Sequence, residues 1–390
     1  MSARVVIVGG GVIGSSIAYF LRASNPKVSV TVIERDPAYT KSSSTLSAAS
    51  IRQQFSTPLS IQMSLFGIEF LRDVGKRLEV AGDKPSIDLH EGGYLFLATS
   101  AGEATLRENH ALQTRLGADI RLLERGALKA KFPWLNVDDL ACGAFGASGE
   151  GWFDGYGLVQ ALRKKAIALG ARYVAADMTG VVLEGRRITH VITGNGELFA
   201  CDTMVNAAGP WARKVAEMID IKTPVYARRR SIFNVSSPAH LAQCPLVIDP
   251  TGVYFRPEGK TYLCGTSPRP ENDPSDLPLD EVDHAIFDDV IWPTLANRVP
   301  EFEALRVENS WSGYYEYNVL DQNAIIGYHP GIENCIFANG FSGHGLQQGP
   351  ATGRGVSELI IDGRYTTLDL SSLNWDRVLN NRPIVEKNVV

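Results

Sequence analysis

The sequence predicts a fold of the α/β class, α+β overall, in which a Rossmann-type nucleotide-binding domain carries a second domain of mainly antiparallel β-sheet. A strand, a glycine-rich turn, a helix and a second strand follow one another within residues 5–34, which is the order of a βαβ unit. Aromatic, strand-like segments begin near residue 88. They interrupt the nucleotide-binding segments rather than follow them, which indicates two interleaved domains.

Length, charge and composition exclude several classes of protein. A chain of 390 residues is long enough for two hydrophobic cores. Its net charge of -5 provides no basic field, so we predict neither nucleic acid nor anionic lipid as a partner. The five cysteines contain no Cys-x-x-Cys pair and the seven histidines lack the spacing of metal ligands. We therefore predict no metal site.

The sequence also carries no sign of membrane insertion or of export. No apolar run approaches the ~20 residues that span a bilayer, so we predict no direct membrane span. The amino terminus enters a strand almost at once, which leaves no room for a targeting signal. We therefore expect a cytoplasmic protein.

The order of the segments predicts two discontinuous domains. The nucleotide-binding domain is expected from residues 1–85, 150–220 and 325–390, and the substrate domain from residues 86–149 and 221–324. Within the substrate domain, a hairpin is expected to join residues 252–255 to residues 261–265 across a turn at 257–259. The polar tail after Asn374 is expected to wrap the surface.

A glycine-rich turn, Gly-Gly-Gly-Val-Ile-Gly, follows the first strand and fits the G-x-G-x-x-G pattern. In this pattern Gly9 permits the tight turn, Gly11 lets the backbone approach a pyrophosphate, and Gly14 lets helix and strand pack closely. Val12 and Ile13 open the helix, whose unpaired N–H groups and partial positive charge favour phosphate. A structural turn without a ligand is the alternative interpretation.

An acidic residue stands where a dinucleotide site needs one. Glu34 lies 20 residues past Gly14, at the end of the second strand, where a carboxylate can accept hydrogen bonds from ribose hydroxyls. It would repel a 2'-phosphate, although Arg35 adjoins it. Strand, turn, helix and acid together favour a dinucleotide, and both NAD and FAD remain open at this point.

A second glycine-rich turn, near the carboxy terminus, helps to decide whether the cofactor is NAD or FAD. Residues 339–347 follow a strand at 335–338 and lead into a helix rich in small residues. The N-terminus of such a helix can stabilise negative charge on a ring carbonyl, as a reduced flavin requires. A simple NAD domain has no use for this second anion site, so the turn favours FAD. A glycine-rich turn before an ordinary helix is the other interpretation.

Five features of the chain occur in the order of one known family. They are the glycine fingerprint, Glu34, the serine-rich loop 42–50, the segment 205–211 and the turn 340–347. Together they resemble the D-amino-acid oxidase superfamily of FAD-dependent oxidoreductases, whose members include sarcosine oxidase and dimethylglycine dehydrogenase. The resemblance covers essentially the whole chain. It implies a discontinuous FAD domain beneath a β-sheet substrate domain, with the substrate over one face of the flavin.

The resemblance also implies which residues meet the cofactor. The serine-rich loop is expected near the ribityl chain and flavin ring, and the second glycine-rich turn under the flavin pyrimidine. Met178 is expected at the adenine, and Ala208 and Gly209 at the adenosine and pyrophosphate. The residues implied for the two loops are Ser43, Ser44, Ala49, Ser50, Gly343, His344, Gly345, Leu346 and Gln347.

Three departures from the family pattern bear on the chemistry. Relatives with covalent FAD attach it through a histidine or a cysteine where this chain has Ser50 and Tyr314, so we predict non-covalent FAD. A lysine that promotes oxygen attack in monomeric sarcosine oxidase corresponds to Leu263, which favours a dehydrogenase that passes electrons to another carrier. The lysine after the glycine-rich turn of that enzyme corresponds to Gln347, which weakens the case for sarcosine specificity.

Oxidation of an amine by flavin needs a neutral nitrogen, a C–H bond aimed at flavin N5, and a group that fixes the substrate. Arg52, beside the flavin loop, and Arg230, at the head of a strand, can hold a substrate carboxylate through the fork of a guanidinium. Tyr254 can bind the carboxylate or lie against the amine. Tyr315 and His344 complete the predicted catalytic set. A solvated surface charge or an ion-pair partner is the alternative for each arginine, and a place in the core or rim is the alternative for Tyr315.

The predicted function is oxidation of the C–N bond of a small amine or amino acid (N-methyl, secondary or D-amino acid) to an imine. A hydride passes to flavin N5, and oxygen or another carrier is the electron acceptor. Residues 311–318, 321–323 and 345–348 resemble a mitochondrial branch of the superfamily linked to complex I assembly. They support an alternative, a flavoprotein subunit or assembly factor that acts mainly through protein partners. A plain NAD dehydrogenase is a third hypothesis, which the second glycine-rich turn disfavours.

Overall fold

The computed structural model describes residues 3–388 and confirms the mixed α/β architecture, with sheets of six, eight, three and two strands. The strands are β1 (Arg4–Val8), β2 (Ser29–Glu34), β3 (Ser50–Ile51), β4 (Tyr94–Thr99), β5 (Ile120–Glu124), β6 (Leu140–Gly146), β7 (Gly151–Trp152), β8 (Arg172–Ala175), β9 (Met178–Glu184), β10 (Arg187–Thr193), β11 (Leu198–Ala200), β12 (Thr203–Asn206), β13 (Val225–Ser236), β14 (Leu246–Ile248), β15 (Tyr254–Glu258), β16 (Thr261–Gly265), β17 (Arg306–Asn318), β18 (Ile325–Tyr328) and β19 (Cys335–Asn339). The helices are α1 (Val12–Ser24), α2 (Ser43–Leu46), α3 (Pro58–Arg72), α4 (Val74–Arg77), α5 (Glu103–Arg115), α6 (Arg125–Lys131), α7 (Gly155–Ala168), α8 (Ala212–Glu217), α9 (His284–Ile286), α10 (Trp292–Arg298), α11 (Gly345–Asp362) and α12 (Trp375–Leu379).

The six-stranded sheet has the order β18-β19-β12-β1-β2-β8, and every neighbouring pair is parallel except β18 with β19. Its central strand β1 reads as a continuous apolar run because both of its faces are covered. Val5 and Ile7 pack on the side of α1, α7 and α11, whereas Val6 and Val8 pack on the side of the three-stranded sheet β11-β10-β9. This is the βαβ arrangement that the sequence predicts for its amino terminus.

Small residues let α1 and α11 pack flank to flank on this sheet. A Cβ at Gly353 would lie 2.6 Å from the Cβ of Ser16, and one at Gly349 would lie 2.9 Å from a methyl of Val12. Both distances are shorter than van der Waals contact allows, so neither position has room for a larger residue. The abundance of small residues in α11 therefore has a packing cause that is separate from any ligand.

The eight-stranded sheet has the order β17-β13-β16-β15-β14-β4-β6-β5, and all neighbouring pairs are antiparallel except β14 with β4. One face buries a second core that includes Phe132, Phe255 and Phe302. The other face turns toward the carboxyl ends of the six-stranded sheet and carries Tyr254 and Arg230. The predicted antiparallel second sheet is thus confirmed.

Several local predictions can be compared with the strands observed. The hairpin of β15 and β16 forms, but its turn lies at Gly259 and Lys260 rather than at 257–259. Arg230 lies in the middle of β13 and not at the head of a strand, because β13 already begins at Val225. The strands of the six-stranded sheet all lie within 4–34, 172–206 and 325–339, and those of the eight-stranded sheet within 94–146 and 225–318. The division into two domains stays a prediction, and its ends at 1–2 and 389–390 lie outside the described residues.

The carboxy-terminal tail follows the surface only in part. Most residues of the tail are exposed or half-buried, as expected of a segment that wraps the surface, but Trp375, Arg377 and Glu386 are buried and anchor it. The carboxylate of Glu386 accepts hydrogen bonds from the backbone and hydroxyl groups of Ser56 and Thr57, which fastens the tail beside the start of α3. Within residues 3–388, every helix is too short or too polar to cross a bilayer.

Candidate functional site

A cavity of about 520 Å³ lies between the two large sheets. It begins at the carboxyl ends of β1, β2 and β12, which is where open α/β sheets bind nucleotides. It reaches the eight-stranded sheet at β4, β13, β15 and β17. The predicted cofactor residues that line it are Gly9, Gly11, Val12, Ile13, Glu34, Arg35, Ser43, Ser44, Ala49, Ser50, Met178, Ala208, Gly209, Gly343, Gly345 and Leu346.

The three fingerprint glycines have different structural causes. Gly9 has a φ of +99°, and a Cβ there would lie 2.3 Å from the carbonyl oxygen of Ala207. A Cβ at Gly14 would lie 1.9 Å from the carbonyl oxygen of Gly9, so this glycine lets α1 pack on β1. At Gly11 the nearest atom to a Cβ is the Ser44 hydroxyl at 3.6 Å. The fold alone therefore has room for a side chain at Gly11, and a ligand in the cavity accounts for its absence.

Glu34 lies at the end of β2 with a fixed carboxylate. One carboxylate oxygen accepts the N–H of Gly10 at 2.7 Å and the other accepts the N–H of Asp36 at 2.8 Å. Burial raises the pKa of Glu34, and these two N–H groups oppose that rise. Each carboxylate oxygen keeps a lone pair that a ribose hydroxyl can use. Next to it, the Arg35 guanidinium lies 3.7 Å above the ring of Trp211, and both side chains line the cavity.

The serine-rich loop supplies hydroxyl groups to the wall of the cavity. Ser42 caps α2 by accepting the N–H of Ser44, and the Ser44 hydroxyl accepts the N–H of Val12 at 3.3 Å. The hydroxyls of Ser43 and Thr45 are buried and have no hydrogen-bond partner within residues 3–388. Ser43 itself lines the cavity, but its hydroxyl is turned away from the open space, so the hydroxyl offers no contact to a ligand in this conformation.

The second glycine-rich turn brings the start of α11 to the cavity. Three residues of this turn have left-handed backbones, with φ of +83° at Gly340, 50° at Ser342 and +96° at Gly343. His344 precedes α11 without a side-chain cap, and the first turn of the helix holds no acidic residue. The unpaired N–H groups at this end are therefore open to an anionic group in the cavity.

Gly14, Arg52, His344 and Gln347 are not among the residues that line the cavity; the last three form a buried layer beside it. The amide oxygen of Gln347 accepts the backbone N–H of Arg52 at 2.9 Å. The Arg52 guanidinium lies 3.3 Å from the His344 ring and donates to the backbone carbonyls of Gln54 and Asn388. Burial and the charge of Arg52 hold the pKa of His344 well below its usual range, so the imidazole is neutral at neutral pH.

Arg52 and Arg230 differ in how their charge is compensated. Arg230 is buried, lines the cavity and forms a two-pronged ion pair with Asp273 at 2.8 and 2.9 Å. It is therefore not the solvated charge that its arginine-rich neighbourhood suggests. Arg52 is only 2% exposed, and no carboxylate within residues 3–388 lies at ion-pair distance from it. The buried carboxyl of Glu150, which accepts the N–H groups of Gln53 and Gln54, is close enough for the charge of Arg52 to oppose the rise in its pKa.

Tyrosines line the end of the cavity at the eight-stranded sheet. Tyr254 and Tyr315 both line it, and burial raises the pKa of each phenol, so both are neutral. Arg230 and Arg52 oppose that rise at Tyr315, whose ring lies 5.2 Å from the Arg230 guanidinium. Tyr94, which the sequence did not single out, also lines the cavity, with its hydroxyl 3.4 Å from that of Ser50.

Sequence reasoning missed a buried acid in this cavity, Glu316. Its carboxylate accepts the N–H of Gly340 at 3.0 Å, and burial raises its pKa to about 8. Alternation along β17 could have shown that Glu316 and Tyr315 point to opposite faces of the strand, but no local pattern marks the carboxyl as buried. Within residues 3–388 there is no cluster of metal-ligating side chains.

Comparisons with known proteins agree with this geometry. A family model described as FAD dependent oxidoreductase (DAO) matches residues 4–359. The chain is 42% identical to FAD-dependent oxidoreductase domain-containing protein 1 of Xenopus laevis, over 100% of this chain and 85% of that protein. It is 26% identical to the glycine oxidase of Geobacillus kaustophilus, over 96% of each. Among solved structures, L-proline dehydrogenase from P. horikoshii shares the fold, with a TM-score of 0.85 at 24% identity, over 97% of this chain and 98% of that one.

Proposed function

We propose, from the premise that this chain belongs to the DAO family of FAD-dependent oxidoreductases, that it oxidises the C–N bond of a small amine or amino acid. The product is an imine, and the substrate classes proposed are N-methyl, secondary and D-amino acids. The related glycine oxidase acts, by its name, on an amino acid, which supports this class of reaction.

The observation that carries the proposal is the continuity of the cavity. One space extends from the fingerprint turn at Gly9 and Gly11 to Tyr254 and Arg230 on the eight-stranded sheet. A dinucleotide held at the fingerprint turn would extend toward a chamber walled by aromatic rings and a guanidinium. The space at Gly11 and the uncapped start of α11 both fit FAD.

When bound, FAD supplies the acceptor for the hydride. The role of the protein is to bind the amine, keep it neutral and orient its C–H bond. Burial disfavours the charged form of an amine, so a chamber walled by Tyr94, Tyr254 and Tyr315 favours the neutral nitrogen that hydride loss requires. A strong base is not needed for this step, which agrees with tyrosines rather than carboxylates on this wall.

Arg52 is the residue that we propose for recognition of a substrate carboxylate. Glu150 acts on the charge of Arg52 without forming an ion pair with it. A buried guanidinium without a carboxylate in contact is costly, and a substrate carboxylate that reaches Arg52 would supply that contact. Arg230 already has a counter-ion in Asp273. We therefore propose that it forms part of the chamber wall and determines the shape and polarity of the chamber, and that it does not bind the carboxylate. Because Arg52 lies beside the cavity and not on its wall, binding requires its guanidinium to leave the carbonyl of Asn388 and turn into the cavity. His344 and Gln347 are proposed to hold Arg52 in place through its side chain and its backbone.

Two further features support the proposed form and use of the cofactor. No cysteine or histidine within residues 3–388 lines the cavity, and the five cysteines are buried elsewhere, which supports non-covalent FAD. Leu263 is buried in β16 where an oxidase of the family has a lysine. The proposed enzyme is therefore a dehydrogenase whose electrons pass to a carrier other than oxygen.

The test is anaerobic bleaching of the bound flavin by a panel of N-methyl, secondary and D-amino acids. Each amino acid is paired with the corresponding amine that lacks the carboxylate. Bleaching by a member of the panel is expected, and failure of every member would refute the amine-oxidation proposal. For the best substrate, Arg52→Gln is expected to weaken binding roughly 10- to 150-fold, the equivalent of one charge-assisted hydrogen bond. The amine without a carboxylate serves as the control, because its binding should change little.

The alternative, a flavoprotein subunit or assembly factor that acts through partners, stays a prediction. The similarity to FAD-dependent oxidoreductase domain-containing protein 1 is compatible with either role, because that name states a cofactor and no substrate. Size-exclusion chromatography of the affinity-purified protein separates the two hypotheses. A stable complex with another chain favours the partner role, whereas a monomer active on an amine favours the enzyme.

A further inference from the structure

A buried carboxyl group that the proposed chemistry does not use lies against the start of α11. Glu316, on β17, is 9% exposed and lines the cavity. One of its carboxylate oxygens accepts the N–H of Gly340 at 3.0 Å, and its backbone carbonyl accepts the N–H of Ser342 at 3.1 Å. A Cβ at Gly345, the first residue of α11, would lie 3.5 Å from the other carboxylate oxygen. The carboxyl group is thus fixed at the helix end that faces the cavity.

Glu316 has no cationic partner that would hold it ionised. No ion pair within residues 3–388 includes it, and only burial and backbone N–H groups act on its pKa, which burial raises to about 8. The adjoining elements carry several ionisable residues, and none of them acts on the pKa of Glu316. They are Arg306, Glu308, Tyr314, Tyr315 and Tyr317 of β17, Tyr226, Arg228, Arg229 and Arg230 of β13, His344 before α11, and Arg354, Glu358 and Asp362 of α11. Arg229 and Arg230 pair with Glu281 and Asp273, and His344 faces Arg52. Glu316 is therefore free to change its protonation state.

We propose that Glu316 is a redox-linked proton acceptor, which takes up a proton when the flavin in the cavity is reduced and releases it on reoxidation. Reduction by two electrons and one proton leaves one negative charge on a flavin. An ionised Glu316 would place a second negative charge in the same cavity, at the same helix end. Like charges in a partly buried site repel each other, so one of them binds a proton.

The step balances in atoms and charge. A hydride, which is a proton and two electrons, leaves the donor, and the flavin gains one negative charge. A proton from the solvent then converts the carboxylate of Glu316 to a carboxylic acid. When an electron acceptor removes the two electrons, both protons return to the solvent. The inference depends on FAD binding and not on the amine, because any two-electron donor creates the same charge.

The pKa of Glu316 determines how proton uptake on flavin reduction changes with pH. Near pH 6 the carboxyl of Glu316 is already protonated while the flavin is oxidised, so reduction takes up about one proton per two electrons. Near pH 9 it is ionised in the oxidised protein, and a nearby negative charge raises its pKa further. Reduction there is expected to take up about two protons, and the dependence of the midpoint potential on pH should become about twice as steep.

The experiment is a potentiometric titration of the holoprotein from pH 6 to pH 10 with dithionite as the reductant, so that no substrate is needed. Glu316→Gln keeps the shape and an oxygen acceptor for the N–H of Gly340, and it should take up about one proton at every pH. Glu150→Gln is the matched control. Glu150 is also a buried acid with a pKa raised to about 7 but does not line the cavity, so the variant should keep the second proton.

Two results would overturn the proposal. Uptake of one proton at both pH 6 and pH 9 in the wild-type protein would show that no group of this kind exists. A second proton that persists in Glu316→Gln would assign the role to another residue. If Glu316→Gln fails to hold flavin, infrared difference spectra of the wild-type protein at pH 9 decide the question. Reduction must then produce the carbonyl band of a protonated carboxylic acid, and its absence would also refute the proposal.

Discussion

Two glycines of the fingerprint turn make a matched pair of substitutions with opposite expected effects. In Gly14→Ala the new methyl would lie 1.9 Å from the carbonyl oxygen of Gly9 and 3.0 Å from its carbonyl carbon. Both are backbone atoms in the packed contact of α1 with β1, so the strain can be relieved only by moving the helix. Overpacking of a core costs about 1–3 kcal/mol, and we expect the upper end of that range or more.

Gly11→Ala places the same methyl where the protein has room. Its nearest neighbour is the Ser44 hydroxyl at 3.6 Å, and the backbone of Gly11, with φ -63° and ψ -167°, is open to alanine. The protein without cofactor should be as stable as the wild type, or more stable by up to about 1 kcal/mol, because alanine lowers the entropy of the unfolded chain. The methyl, however, points into the space assigned to the pyrophosphate. Loss of one charge-assisted hydrogen bond there corresponds to a roughly 10- to 150-fold weaker affinity for FAD.

The assay measures both properties on the same preparations. Urea unfolding of the protein freed of flavin gives the stability, and quenching of flavin fluorescence on titration gives the dissociation constant. The expected result is a crossed pattern, with Gly14→Ala less stable and Gly11→Ala stable but weak in FAD binding. Wild-type FAD affinity in Gly11→Ala would refute the placement of the pyrophosphate. Wild-type stability in Gly14→Ala would refute the packing argument.

Two more predictions follow from the chain's own contacts. Glu358 accepts the N–H groups of Thr366 and Thr367, which with the Thr367 hydroxyl lower its pKa to about 2, against an ordinary value of 4.5. The contribution of Glu358 to the free energy of unfolding is therefore complete above about pH 4.5 and is lost as the pH falls toward 2. Glu358→Gln should lower the free energy of unfolding by about 1–3 kcal/mol at pH 7. A urea midpoint of the variant that matches the wild type at pH 7 would contradict this. Leu263→Lys should speed reoxidation of the reduced flavin in air, as followed by stopped-flow absorbance, with Leu263→Met as the neutral control. Equal reoxidation rates in the two variants would show that the residue at position 263 does not control the reaction of the reduced flavin with oxygen.

The fold and the cofactor were predictable because their signals are local. The apolar run of β1, the spacing of Gly9, Gly11 and Gly14, and an acid at position 34 each occupy a short segment with a specific geometry. Glu34 lies where the spacing predicts, at the end of β2 and on the cavity wall. The antiparallel sheet could also be predicted, because its strands alternate and its hairpin lies within a dozen residues.

Contacts between distant segments could not be predicted in the same way. Arg52 resembles a residue that faces the substrate, yet its guanidinium lies against Asn388, which is 336 residues away. Glu316 has no sequence signal because its burial depends on the turn at Gly340 and on the start of α11. The tail after Asn374 is polar in composition, but Trp375 is buried by contacts with Phe337 and His329. Composition predicts the average exposure of a segment and not the place of its few anchoring side chains.

The flank-to-flank contact of α1 and α11 has a consequence for biosynthesis. Gly349 and Gly353 of α11 pack on Val12 and Ser16 of the first helix, so the two halves of the nucleotide pocket meet only after α11, which begins at residue 345, has been synthesised. The amino-terminal βαβ unit has by then long been exposed without its ligand. The coenzyme pocket is thus completed only when α11 packs on α1, and we expect the coenzyme to bind after that step.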